Sequence, residues 1–203
     1  EKAAASTKTA IAMVLDFSGS MEGDPEQEVR QAVVEMLREM RATDLVCLVP
    51  FHSTVFSDTD LLGIASRKEL EQKILGCKTA GSTKLDLALL EAMKKLSRAP
   101  SDAVKQVIVL TDGNPDSVDQ ALTAADELAA IGVAGLHPFA YGQHDGAFLK
   151  RLAEKTPGTE PFYPNAGGLG YTVDARFRDI LAAAQTTVVT NLRLELKFTR
   201  DVV

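Results

Sequence analysis

The run of five apolar residues at positions 11–15 constrains the fold more than any other stretch of the 203-residue sequence. A continuous apolar run without alternation predicts a strand buried on both faces, as in a parallel sheet. The run stops at Asp16, and Ser18 and Ser20 follow at every second position. In a loop leaving a buried strand, one carboxylate and two hydroxyls at this spacing can converge on one point, which suits a hard divalent cation such as Mg²⁺. The same stretch is also an ordinary turn composition, because Asp and Ser side chains hydrogen-bond nearby backbone groups.

Strand-like and helix-like segments alternate along the rest of the chain. Apolar runs predict further strands at 45–51, 104–110 and 133–141, with shorter candidates at 55–62 and 160–163. Amphipathic spacing predicts helices at 25–40, 68–75, 84–97, 118–131, 148–152 and 173–184. This alternation implies βαβ units, so the sequence predicts an α/β domain of three layers, α/β/α, doubly wound, with a mostly parallel sheet and one antiparallel edge strand.

Several positions predict how individual elements begin or pair. Asp24 is predicted as the N-cap of the first helix, with Pro25 at its first helical position. Ser117 and Gln120 have the spacing of a capping box. Pro138 lies inside a predicted strand, where it removes a backbone donor and is therefore unfavourable in a central position.

The charge balance excludes some classes of partner. The chain has 22 Lys and Arg against 28 Asp and Glu, a formal net charge of −6, and no basic run interleaved with aromatic residues. This argues against nucleic acid and anionic membranes as partners and favours a cation. Cys47 and Cys77 form no metal-binding pattern, and Cys47 lies in an apolar strand as a small buried hydrophobe. The cysteines favour the cytoplasm, and a secreted or cell-surface location stays open.

The two ends of the chain differ from its centre. Residues 1–8 are small and polar, which predicts a linker or frayed terminus, and residues 9–187 carry the α/β pattern. In 188–203, apolar residues at 192, 194, 196 and 198 alternate with polar ones. This period of two predicts a strand, either an antiparallel addition to the sheet or the start of a following β-domain. Because the sequence begins without Met, we expect an excised piece or processed product of a larger multidomain chain. No apolar stretch has the length needed to cross a bilayer.

A second apolar strand, at 104–110, also leads to an aspartate, Asp112. Thr83 lies on the loop that enters the helix at 84–97. Ligands of doubly wound folds bind outside the carboxyl ends of the strands. We therefore expect Asp112 at the same edge as Asp16, with Thr83 within reach of it.

Three motifs, in order along the chain, resemble the metal-ion-dependent adhesion site of von Willebrand factor type A domains, which also occur as integrin I domains. The motifs are Asp16-Phe17-Ser18-Gly19-Ser20-Met21, Gly81-Ser82-Thr83 and Thr111-Asp112-Gly113. The resemblance spans about residues 9–185. It implies that a cation, Mg²⁺ or else Mn²⁺ or Ca²⁺, is held directly or through water by Asp16, Ser18, Ser20, Thr83 and Asp112. It also implies a non-enzymatic interaction module, in which an Asp or Glu of a partner protein fills an open coordination position.

Two alternatives stay open. In haloacid-dehalogenase-type phosphatases a strand-end aspartate is the nucleophile, a role that Asp16 would take, but that chemistry requires an acidic residue where this chain has Ser18. The other alternative is the same fold used as a structural module without metal. Lys84 departs from the Asn that many members have after the threonine, and we expect it to point into solvent.

Overall fold

A five-stranded sheet organises the computed structural model, which describes residues 8–164 and 172–186. The strands are β1 (Thr9–Asp16), β2 (Leu45–Phe51), β3 (Leu62–Gly63), β4 (Val104–Thr111) and β5 (Val133–Ala140). Their order is β3-β2-β1-β4-β5, with β3 antiparallel to β2 and the other pairs parallel. The predicted doubly wound sheet with one antiparallel edge strand is confirmed. The strand predicted within 188–203 lies outside the described residues.

Within the described residues, six α-helices cover the two faces of the sheet. They are α1 (Asp24–Glu39), α2 (Arg67–Gly76), α3 (Leu85–Leu96), α4 (Val118–Ala130), α5 (Gly146–Ala153) and α6 (Val173–Thr186). Buried residues of α3, α4 and α5 form one core with one face of the sheet, and buried residues of α1, α2 and α6 form the second core on the other face. Among the described helices, none is long and apolar enough to cross a membrane.

The central position of β1 explains its unbroken apolar run. Ala10, Ala12 and Val14 face the α3 and α4 side, whereas the alternate positions, led by Ile11 and Met13, face the α1 and α6 side. All eight residues of β1 are buried. Because parallel strands on both sides share its direction, the ends of β1, β2 and β4 open onto one edge of the sheet.

Three local predictions differ from the structure. Asp24 is the first residue of α1 rather than its N-cap, and the preceding Gly23 has a φ of 97°. The strand expected at 55–62 is reduced to the two residues of β3 and a single bridge between Val55 and Phe51. The strand expected at 160–163 is a single parallel bridge from Phe162 to β5. In the two strand cases, one or two residues pair where the sequence pattern predicts a longer strand.

Pro138 does not interrupt the sheet because the side of the backbone on which its N–H would lie faces away from the neighbouring strand β4. Its carbonyl accepts from the N–H of Phe162 at 2.8 Å, and the N–H of Ala140 donates to the Phe162 carbonyl at 2.8 Å. Within a strand, the N–H and C=O of one residue point to the same side, so the missing N–H faces away from β4. Pro50 in β2 follows the same rule, since its carbonyl accepts from the outer Phe56 N–H at 3.0 Å.

Candidate metal centre

Asp16 is held rigidly at the carboxyl end of β1. Its side chain is fully buried; one carboxylate oxygen accepts from the Ser18 N–H at 2.8 Å, and the other accepts from the Thr111 hydroxyl at 2.6 Å. Burial raises the pKa of Asp16 to about 6, against the hydrogen bonds of Thr111 and Ser18, which lower it. The nearby charge of Asp112 raises that pKa further. Burial therefore opposes ionisation of the Asp16 carboxylate, whereas its hydrogen bonds favour the ionised form.

Ser18 and Ser20 point their hydroxyls at each other. The two Oγ atoms are 3.2 Å apart, with Ser18 buried and Ser20 exposed. A short 3₁₀ helix, Gly19–Met21, makes this possible: its Met21 side chain is buried and its Met21 N–H donates to the Ser18 carbonyl at 3.0 Å. The predicted convergence of the two hydroxyls after Asp16 is observed.

Thr83 lies on a loop that is held by hydrogen bonds on two sides. The Gly19 N–H donates to the Gly81 carbonyl at 3.1 Å, which joins the Thr83 loop to the serine loop. On the other side, the Thr83 N–H donates to the Asp116 carboxylate at 2.8 Å. Thr83 is buried and is held through its backbone N–H and carbonyl.

Gly81 is required for the path of this loop. Its φ is +61°, a conformation that side chains disfavour, and an added Cβ would lie 2.1 Å from the Ser53 hydroxyl oxygen. That hydroxyl is itself engaged, since it accepts from the Ser82 N–H at 2.9 Å. The glycine therefore lets the loop pass close enough to reach the serine loop.

Asp112 follows β4 beside Asp16. It is 2% exposed, and one of its carboxylate oxygens accepts from the Asn114 N–H at 3.0 Å. Thr111 connects the two aspartates: its hydroxyl donates to Asp16 and accepts from the Gly113 N–H at 3.0 Å. Sequence reasoning named Thr111 only as part of a motif and missed this positioning contact. A threonine directly before a strand-end aspartate is the available signal.

Lys84 is partly withdrawn from solvent. Its ammonium lies 3.4 Å from the Asp116 carboxylate, its side chain is 38% exposed, and its N–H donates to the His52 carbonyl at 2.9 Å. It directly precedes α3. The expectation that Lys84 would simply point into solvent is therefore only partly right, because its charge is paired.

The donor set fits a hard divalent cation. Asp16 and Asp112 are buried carboxylates, and neither has a Lys or Arg at ion-pair distance among the described residues. Within residues 8–164 and 172–186, no three His, Cys, Asp or Glu side chains gather as candidate metal ligands. A cation here would thus depend on hydroxyls and water as well as carboxylates, which Mg²⁺ accepts.

An open groove borders the candidate ligands. Its volume is about 400 Å³, and it is lined by Ser20, Pro25, Asp112, Asn114, Gly142 and Gln143. The groove gives a polar ligand a path to the exposed Ser20 and to the edge of Asp112.

Comparison with known proteins identifies the fold and its relatives. The family model described as von Willebrand factor type A domain matches residues 10–166. Inter-alpha-trypsin inhibitor heavy chain 4 of Mus musculus is 30% identical over 114 residues, which covers 52% of this chain and 12% of that protein. The chain spans less than half the length of the first curated relatives that it matches.

Solved structures agree on the fold. A von Willebrand factor type A structure from Catenulispora acidiphila superposes with a TM-score of 0.73 at 18% identity, covering 88% of this chain and 43% of that one. The manganese-loaded TRAP protein of Plasmodium vivax superposes with a TM-score of 0.64 at 21% identity, covering 87% of this chain and 72% of that one.

Proposed function

The chain belongs to the von Willebrand factor type A domain family, and we propose that it is a divalent-cation-dependent module for protein–protein interaction. Adhesion and protein interaction are common roles of domains in this family. We assign the cation site to Asp16, Ser18, Ser20, Thr83 and Asp112. The observation that carries the proposal is the pair of buried carboxylates, Asp16 and Asp112, which lack a basic partner among the described residues and share an edge of the sheet with the serine hydroxyls.

Each group would have a distinct part in holding the cation, which would be Mg²⁺, Mn²⁺ or Ca²⁺. Asp16 and Asp112 offset its charge, while Ser18, Ser20 and Thr83 offer neutral oxygens. Where a carboxylate acts through a bridging water, the oxygens bound directly to the cation are mostly neutral, so the cation can attract one more anion. The bound cation would supply an open coordination position for a carboxylate, so the partner would present an Asp or Glu side chain. The groove beside Ser20 gives that side chain room to approach.

The comparisons support a metal in this fold without identifying the metal of this chain. The P. vivax TRAP protein carries manganese, and the shared fold is the extent of the likeness at 21% identity.

The residue pattern disfavours the phosphohydrolase alternative. Ser18 occupies the position where that chemistry requires a general acid. We propose that the chain is not an enzyme.

Calorimetric titration of Mg²⁺ and Mn²⁺ into the purified chain tests the cation site. We expect the wild type to bind one ion and Asp112→Ala to bind about tenfold more weakly or worse, because one buried charge that offsets the cation is gone. Asp126→Ala is the matched control, since Asp126 is an exposed aspartate that pairs with Lys155. If the wild type binds neither ion, the metal-free structural module is the better interpretation. Turnover of a generic phosphoester that disappears in Asp16→Asn would instead support the phosphohydrolase.

A further inference from the structure

We propose that Asp116, which lies outside the three motifs, is a positioning residue that holds Thr83 in place for the cation. This inference rests on the proposed function, because it assigns a role at the same site. Asp116 and Thr83 are 33 positions apart in sequence, yet they form a closed pair of hydrogen bonds.

The pair of hydrogen bonds fixes both backbone polar groups of Thr83. The Asp116 carboxylate accepts from the Thr83 N–H at 2.8 Å, and the Asp116 N–H donates to the Thr83 carbonyl at 3.0 Å. With its N–H and carbonyl both held, Thr83 keeps one backbone position and only its side chain remains to be oriented. A ligand fixed in this way loses less conformational entropy when a cation binds.

Asp116 also anchors the loop that leads into α3. The N-cap position of α3 is Lys84, whose side chain makes no capping hydrogen bond. The Asp116 carboxylate accepts one residue earlier, from the Thr83 N–H, so it fixes the loop without capping the helix. The path of the chain into α3 therefore includes a contact between two loops.

The placement of Asp116 links two of the candidate ligands. It stands four residues after Asp112 and directly before Ser117, whose hydroxyl accepts from the Gln120 N–H as the N-cap of α4. Asp116 thus connects the Thr83 loop to the rigid start of α4 and to the Asp112 loop. Movement of Thr83 relative to Asp112 would require this connection to break.

The charge of the Asp116 carboxylate is stabilised by hydrogen bonds and by Lys84. Hydrogen bonding by the Thr83 N–H is the first cause that lowers the pKa of Asp116, followed by the Ser82 side chain. The carboxylate is therefore ionised at neutral pH, and the Lys84 ammonium at 3.4 Å offsets much of its charge at long range. Orientation of Thr83, rather than net attraction for a cation, is the contribution that we assign to Asp116.

Mn²⁺ titration followed by electron paramagnetic resonance of the free ion tests this role in the full chain. Asp116→Ala and Asp116→Asn both remove the charge, but only Asn keeps an oxygen that accepts from the Thr83 N–H. We expect Asp116→Ala to weaken Mn²⁺ binding by about tenfold and Asp116→Asn by no more than about threefold. Asp119→Ala is the control, because Asp119 is an exposed aspartate three residues further on. It should bind as the wild type does.

The outcomes separate this inference from the proposed function. If the wild type binds Mn²⁺ and Asp116→Ala binds equally well, the positioning role is wrong and the cation site stands. Equal weakening of the Ala and Asn variants would show that charge matters and orientation does not, which also overturns the role. A wild type that binds no Mn²⁺ removes the proposed function and this inference together. Circular dichroism checks the fold of each variant, and if Asp116→Ala does not fold, Asp116→Glu replaces it. Glu keeps the charge but displaces the carboxylate, so wild-type affinity in that variant would contradict the inference.

Discussion

Replacing Asp16 with Asn is expected to stabilise the domain in the absence of metal while removing its response to metal. Asp16 is fully buried, and burial raises its pKa from 3.8 to about 6. The folded state therefore binds a proton on Asp16 more tightly than the unfolded state does. The stability from this group is fully present below pH 3.8 and is lost as the pH rises through about 6. An uncharged Asn does not undergo this loss.

The size of the effect follows from the pKa difference and one hydrogen bond. A difference of about 2 pKa units corresponds to about 3 kcal/mol at neutral pH. Asn keeps an acceptor for the Ser18 N–H but presents an amide donor to the Thr111 hydroxyl, which costs about 1 kcal/mol. The expected net gain in the free energy of unfolding of the metal-free variant is therefore about 1–2 kcal/mol.

Urea unfolding followed by circular dichroism measures this gain. With EDTA at pH 7.5 the Asn variant should be more stable than the wild type, and at pH 5 the difference should be smaller. Added Mg²⁺ should stabilise the wild type by RT ln(1 + [Mg²⁺]/Kd) and leave the variant unchanged. Asp126→Asn, an exposed site, should behave as the wild type throughout. A variant less stable than the wild type in EDTA at pH 7.5, or a difference independent of pH, would refute the argument from burial.

Two further substitutions test the loop geometry and the second core. Gly81→Ala should lower the free energy of unfolding by about 1–3 kcal/mol and weaken Mn²⁺ binding, because the new Cβ would meet the Ser53 hydroxyl at a positive φ. Gly63→Ala is the control in urea unfolding, because a Cβ at Gly63 would meet no atom within 4 Å. Equal losses of stability in the two variants would contradict this steric argument. Burial lowers the pKa of His137 to about 3, so its contribution to stability is present above pH 6.5 and is lost as the pH falls toward 3. His137→Gln should therefore lose less stability between pH 7 and pH 5 than the wild type in thermal melts with EDTA, and identical pH slopes would show that His137 does not carry this dependence.

The parts of the fold that sequence predicts well are those with long-range regularity. The unbroken apolar run of β1 reflects a central strand with a core on each face, and burial of all its residues is the physical reason that the run lacks alternation. His137 lies within the apolar run of β5, and it is buried with its ring nitrogen 2.9 Å from the Gln106 amide oxygen. Ser117 caps α4 as its spacing with Gln120 predicts.

The parts that sequence does not predict depend on contacts between distant residues. Phe162 pairs with β5 through one bridge, a pairing decided by tertiary packing rather than by periodicity. The Thr111 hydroxyl holds Asp16 and the Asp116 carboxylate holds Thr83, each by a hydrogen bond between residues far apart in sequence. A single polar residue carries no periodic signal. The assignment of the five candidate ligands comes from motif order and stays a prediction, as does their metal occupancy.

The outward-facing prolines of β2 and β5 have a consequence for how such a domain can be used. On the β2 side, the Leu48 N–H donates to the Thr59 hydroxyl, and on the β5 side the Leu136 N–H donates to the Thr156 hydroxyl. The chain's own loops thus consume ladder donors that an incoming strand would need, and Pro138 offers none. In a tandem array or a crowded assembly, a strand from a neighbouring copy would find few free backbone donors to pair with along β2 and β5. The outer sides of these strands are therefore poor sites for the addition of another strand.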